Sequence, residues 1–120
     1  GRQLRIGRAN QGIAWFPFKE LCEQPVGLSD YLAIITKFHT LIMPDIPIML
    51  SQHRNEARRF AILVDMLYDY NVKLVCSAAG APEELYTRGT GSREFRRTAS
   101  RLREMQTTGY LSRSHVLGKT

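Results

Sequence analysis

A chain of 120 residues with 43% hydrophobic content holds one modest core and leaves no room for a second full domain. Its longest apolar runs, FAILV and LAII, fall well short of the roughly 20 residues a membrane-spanning helix needs, and its Arg-rich start lacks an apolar signal core, so a cytoplasmic protein is expected. The net charge of +6 is uneven: residues 1–8 contribute +3, residues 9–87 contribute −3 and residues 88–120 contribute +6. Thirteen of the basic residues are arginine, whose planar fork suits phosphate and carboxylate.

The elements begin with two short runs, residues 3–8 and 12–17, separated by Ala9-Asn10-Gln11 and read as a β-hairpin. FKELCEQ follows as a helical turn stopped by Pro25 and Gly27. Ser29 offers an N-cap to DYLAIITKF, where Tyr31, Leu32, Ile35 and Phe38 recur with helical spacing. His39 to Met43 reads as a strand ended by Pro44, because proline cannot donate to a ladder.

Ser51 is the expected cap of a long helix through RNEARRFAILVDMLYD, ending near Asn71. Its spacing aligns Arg54, Arg58, Asp65 and Asp69 on a polar stripe and leaves Phe60, Ala61, Leu63, Val64, Leu67 and Tyr68 for burial. An intrahelical pairing of Arg58 with Asp65 or Asp69 is expected. VKLVCSAA is the next strand, and strand, helix, strand with short connections predicts a parallel crossover pair.

Pro82, with Glu83 and Glu84 behind it, starts a short helix. Thr90-Gly91-Ser92 breaks the chain before a helix from Arg93 to Gln106, in which Phe95, Ala99, Leu102 and Met105 form one stripe and Arg93, Arg97 and Arg101 another. Like charges four apart on a helix repel, so an anion would relieve them. Beyond Gly109 no apolar period remains, and residues 113–120 are expected to form a disordered tail.

Several motifs fail on inspection. The terminal Gly118-Lys119-Thr120 has Arg113 where a phosphate loop needs its first glycine, and no helix follows. Ser77 lacks the glycine of a nucleophile elbow. His39, His53 and His115 are scattered, so no metal site is expected. Cys22 and Cys76 lack paired spacing and are read as reduced core thiols. No residue is nominated as catalytic within the chain.

At WFPFKELCEQPVGLSDYLAI, DIP, RNEARRFAILVDMLYDYNVKLVCSAA and EFRRTASRLREMQTTGYL the chain resembles the carboxy-terminal part of the ZapE-like, LACE-related AAA+ cell-division ATPase family. The resemblance implies a partial P-loop NTPase fold of class α/β. It implies a carboxy-terminal portion of an ATPase domain over residues 1–112, with the hairpin at 1–17, an α/β part at 18–79 and lid-like helices at 80–112. It also implies that the phosphate loop and the magnesium-holding acidic residue lie upstream, so ATP and Mg are expected for the full-length parent and neither for this chain alone, which should not hydrolyse ATP by itself.

The expected partners are the upstream ATPase core of the same protein, FtsZ as in the family, and further copies of the chain through exposed strand edges. By the same resemblance Arg97 and Arg101 are nucleotide-sensing candidates, and Arg58 and Arg59 are interface or structural candidates. LIMPDIP, a helix and KLVCSAAG echo the acidic-strand and sensor-strand pattern without its polar residues. A second reading from the residues is a basic module in which the Arg93 to Arg103 face contacts the phosphates of nucleic acid.

Overall fold

The computed structural model describes residues 11–116. Its order is β1 (Ile13–Trp15), α1 (Phe18–Cys22), α2 (Leu28–Lys37), β2 (Thr40–Ile46), α3 (Arg54–Asp69), β3 (Lys73–Ala78), α4 (Phe95–Glu104) and α5 (Thr108–Leu111), with 3-10 turns at Ser51–His53 and Pro82–Glu84. The strands form one sheet in the order β1-β2-β3. Both pairings are parallel, with Trp15 and Val75 flanking Ile42. This is a mixed α/β architecture with carboxy-terminal helices. The hairpin expected over 3–8 and 12–17 lies partly outside the described residues, and its second arm is β1, joined to β2 through the crossover helices α1 and α2.

Alternation along the strands decides which face carries the helices. Ala14, Leu41 and Met43 are buried in one continuous core with Phe18, Leu21, Ile35, Phe60, Leu63 and Leu67 of α1, α2 and α3. The opposite face shows Ile13 and Val75 to solvent. The apolar run around Cys76 predicts a core thiol, yet Cys76 is exposed; β3 is the last described strand, so no neighbour shields it. Cys22 is buried, and burial pushes its thiol pKa up against the pull of the nearby Arg59.

Local chemistry moves three boundaries. β2 runs through Pro44 to Ile46 because the register with β3 shifts between Met43 and Ile46. There Asp45 takes φ 66° and its N–H donates to Ser77 Oγ at 2.8 Å, so the bulge tolerates a proline that a regular ladder would reject. The cap of α2 is Gly27 rather than Ser29: the Gly27 N–H donates to Asp30 Oδ2 at 3.0 Å. Ser51 does not cap α3 through its side chain; it opens the 3-10 turn that runs into α3, and the Leu50 N–H donates to His53 Nδ1 at 3.0 Å.

Two residues past the end of α3, Asn71 with φ 55° turns the chain so that the Val72 N–H reaches the Leu67 carbonyl at 2.9 Å. The segment after Gly109 is not a frayed end as far as Val116. Tyr110 is buried and donates its hydroxyl to the Val72 and Leu67 carbonyls at 2.7 and 3.1 Å. Beyond it Asn71 Nδ2 donates to the Ser114 carbonyl, His115 Nε2 meets the Ile35 carbonyl, and the Val116 N–H donates to the Tyr70 carbonyl. Residues missed as ordered were therefore held by backbone groups, which leave no apolar pattern. Gly118 to Thr120 lie outside the described residues.

Candidate functional site: an arginine cleft between two helices

α3 and α4 lie side by side and run in the same direction. Phe60 stacks on Phe95 with ring centroids 6.3 Å apart, Asp65 meets Arg101, and Tyr68 meets Glu104, so residue numbers rise together along both helices. The stripe predicted for α4 is the packed one: Phe95, Ala99, Leu102 and Met105 are all buried. Tyr86 braces the start of α4 by an edge contact with Phe95, and its hydroxyl donates to the Thr90 carbonyl at 2.6 Å.

The two ends of this helix pair use arginine differently. Toward the carboxyl ends, Arg101 Nη1 donates to Asp65 Oδ1 at 2.6 Å, with its guanidinium 4.7 Å from the Tyr68 ring centroid. Tyr68 donates to Glu104 Oε2 at 2.7 Å, and Arg113 reaches the same oxygen at 3.3 Å. Arg101, only 22% exposed along its side chain, is thereby held by its own chain. The intrahelical Arg58–Asp65 pair expected from the sequence does not form, because Arg101 of α4 occupies Asp65.

Toward the amino ends an open cleft of about 610 Å³ lies between the helices. Its floor includes Ala57, Ala61 and Phe95; Arg54 and Arg58 of α3 line one wall, and Arg93 and Arg97 the other. All four arginines are exposed. Among the described residues none of the four takes part in an ion pair, while Arg101, Arg103 and Arg113 each do. Asp65 and Glu94 also line the cleft, but Asp65 is already neutralised by Arg101. Guanidiniums gathered over an apolar floor with one free carboxylate between them make a site for a multiply charged anion.

The four nominated arginines therefore separate. Arg97 and Arg58 stand in the cleft, Arg101 is taken into the closed network, and Arg59 Nη1 donates to the Cys22 carbonyl at 3.1 Å, tying α3 to the end of α1. Arg54, not nominated from sequence, and Arg93, named there only as part of a nucleic-acid-binding face, complete the cleft. Both stood on the polar stripes, but only the Phe60–Phe95 register brings those stripes together. Among the described residues no group of three or more His, Cys, Asp or Glu gathers as a metal site, and no helix is long and apolar enough to cross a membrane.

A family model for AFG1-like ATPases matches residues 1–114. The chain belongs to the AFG1-like ATPase family. Within that family it is 42% identical over 113 residues to the cell division protein ZapE of Escherichia coli strain K12, covering 94% of this chain and 30% of the relative. It is 35% identical over 117 residues to lactation elevated protein 1 homolog B of Danio rerio, covering 98% of this chain and 23% of that protein. The chain thus spans less than a third of either AFG1-like relative. No solved structure matches it. Membership brings a P-loop NTPase fold, consistent with the parallel sheet and the helices that follow it.

Proposed function

We propose that this chain is the carboxy-terminal, lid-bearing part of a ZapE-like ATPase, and that it brings arginine charge to a nucleotide held by the upstream core of the same protein. The supporting observation is the α3–α4 cleft, where Arg97 stands with Arg54, Arg58 and Arg93 and without an ion pair among the described residues. In this reading ATP and Mg²⁺ are bound by groups outside the chain, and magnesium there would offset phosphate charge. Arg97 reaches the phosphates and stabilises the charge that develops on transfer. Arg101 positions α4 on α3 through Asp65 and Tyr68. The chain alone does not hydrolyse ATP. The printed name of the Escherichia coli relative extends the reading to a role in cell division; a cytoplasmic location and FtsZ as a partner are proposed with it on the sequence resemblance alone.

Arg97→Ala in the ATPase polypeptide carrying this segment should lower ATP turnover at least about tenfold with an unchanged melting temperature. Turnover at the parent rate removes Arg97 from the nucleotide. A second reading, a basic module for nucleic-acid phosphates, draws on Arg88 and Arg96, which are exposed and also without an ion pair among the described residues. DNA binding by this chain that falls steeply with salt would favour it.

A further inference from the structure

We infer that the α3–α4 cleft is itself an oligophosphate site, able to hold the phosphate chain of a nucleoside polyphosphate or of a free polyphosphate without a phosphate loop. The inference deepens the proposed function by naming the ligand chemistry of the cleft, and it rests on that reading only in taking the anion to be a phosphate.

Four arginines, two on each wall of the cleft, supply enough N–H forks for more than one phosphate at once. A single phosphate cannot meet both walls as well as a chain can, since Arg54 and Arg58 stand one helical turn apart on α3 and Arg93 and Arg97 four residues apart at the start of α4. The electrostatics favour occupation. Glu94 at the cap of α4 is the one unpaired acid beside the four arginines, which leaves an excess of positive charge, and like charges at spacing four repel until an anion sits between them. The cleft volume of about 610 Å³ is of small-molecule size. Gly91, with φ 86° and nothing near a Cβ position, leaves the rim clear beside Arg93.

The engaged arginines provide the internal contrast. Arg103 is held by Glu83 through two contacts at 2.7 and 2.8 Å, and Arg101 by Asp65, so neither is available to a ligand. Recognition is therefore a property of position in the cleft and not of net charge on α4.

The test is calorimetric titration of this chain, in EDTA, with sodium tripolyphosphate, ATP, orthophosphate and a short poly-glutamate peptide. Tripolyphosphate and ATP should bind, and orthophosphate should bind at least about tenfold more weakly. Arg58→Ala with Arg97→Ala should weaken tripolyphosphate at least about tenfold. The control pair Lys19→Ala with Lys37→Ala, which removes the same charge from exposed positions outside the cleft, should change it less than about twofold.

ATP binding much tighter than tripolyphosphate would identify a nucleotide as the source; equal binding would identify the phosphate chain alone. Either outcome supports the site. Equal losses in the two double variants, no tripolyphosphate binding, or equally tight poly-glutamate would each overturn it. Unchanged turnover in Arg97→Ala alongside intact tripolyphosphate binding would reject the catalytic reading and leave the site standing.

Discussion

The two ends of the α3–α4 pair are built from the same helices and the same residue type, and they do opposite things. At one end Asp65, Tyr68 and Glu104 absorb Arg101 and Arg113 into a closed network. At the other, Arg54, Arg58, Arg93 and Arg97 line a cleft with Glu94 as the one acid not already paired. An arginine's role here is set by whether a carboxylate of its own chain reaches it first. Along one stripe of α4, Arg97 and Arg101 differ by a single helical turn and fall on opposite sides of that divide.

The largest effect should come from the packing beneath both ends. Phe60 is fully buried between Phe18 and Phe95, and Phe60→Ala should cost about 3–5 kcal/mol in urea denaturation. A loss under about 1 kcal/mol would mean that α4 does not rest on α3 as described. Next, Tyr110→Phe removes the hydroxyl shared by the Leu67 and Val72 carbonyls and should cost about 2 kcal/mol. Burial holds that phenol up at about 12, so the loss should not vary between pH 6 and pH 9. A loss confined to alkaline pH would contradict the buried placement.

Smaller effects sharpen the contrast itself. Asp65→Ala strips the partner from Arg101 and should cost about 1 kcal/mol, the pair being partly exposed and backed by Tyr68. Arg97→Ala should stay within about 0.5 kcal/mol of the parent chain. Matching losses in the two variants would show that the cleft arginines are engaged after all.

The smallest effect belongs to the exposed Glu83–Arg103 pair, where hydrogen bonds from Arg103 hold the Glu83 carboxyl at about 2, below its ordinary 4.5. A carboxylate depressed in the folded state favours folding above its unfolded value, and that contribution fades as pH falls toward about 2. Carboxyl NMR titration should place the Glu83 midpoint well below 4.5, and Arg103→Gln should raise it, with the backbone hydrogen bond at Glu83 still lowering it in part. An unmoved midpoint would show that Arg103 is not its cause.

Much of the architecture was legible because periodicity is a local signal. Phe60, Leu63, Val64 and Leu67 announce the buried side of α3, and Phe95, Ala99 and Leu102 that of α4. What escaped the sequence depends on partners far along the chain. Pro44 stays in β2 because the N–H of Asp45 donates to Ser77, 32 residues beyond Asp45. Arg58 loses Asp65 to Arg101, 36 residues beyond that acid, since α4 brings that guanidinium to 2.6 Å from the carboxylate. Cys76 looked buried because VKLVCSAA is apolar, but burial requires a covering neighbour that β3 lacks among the described residues. The cleft was half legible: each arginine row could be seen, but their meeting could not.

The most direct measurement is an arginine side-chain NMR spectrum of this chain, following the Nε–H resonances with and without tripolyphosphate. The account predicts that Arg54, Arg58, Arg93 and Arg97 shift together with one saturation curve while Arg59, Arg101 and Arg103 stay in place. Uniform shifts across all arginines, or movement of Arg101 out of its contact with Asp65 in preference to the cleft four, would contradict it.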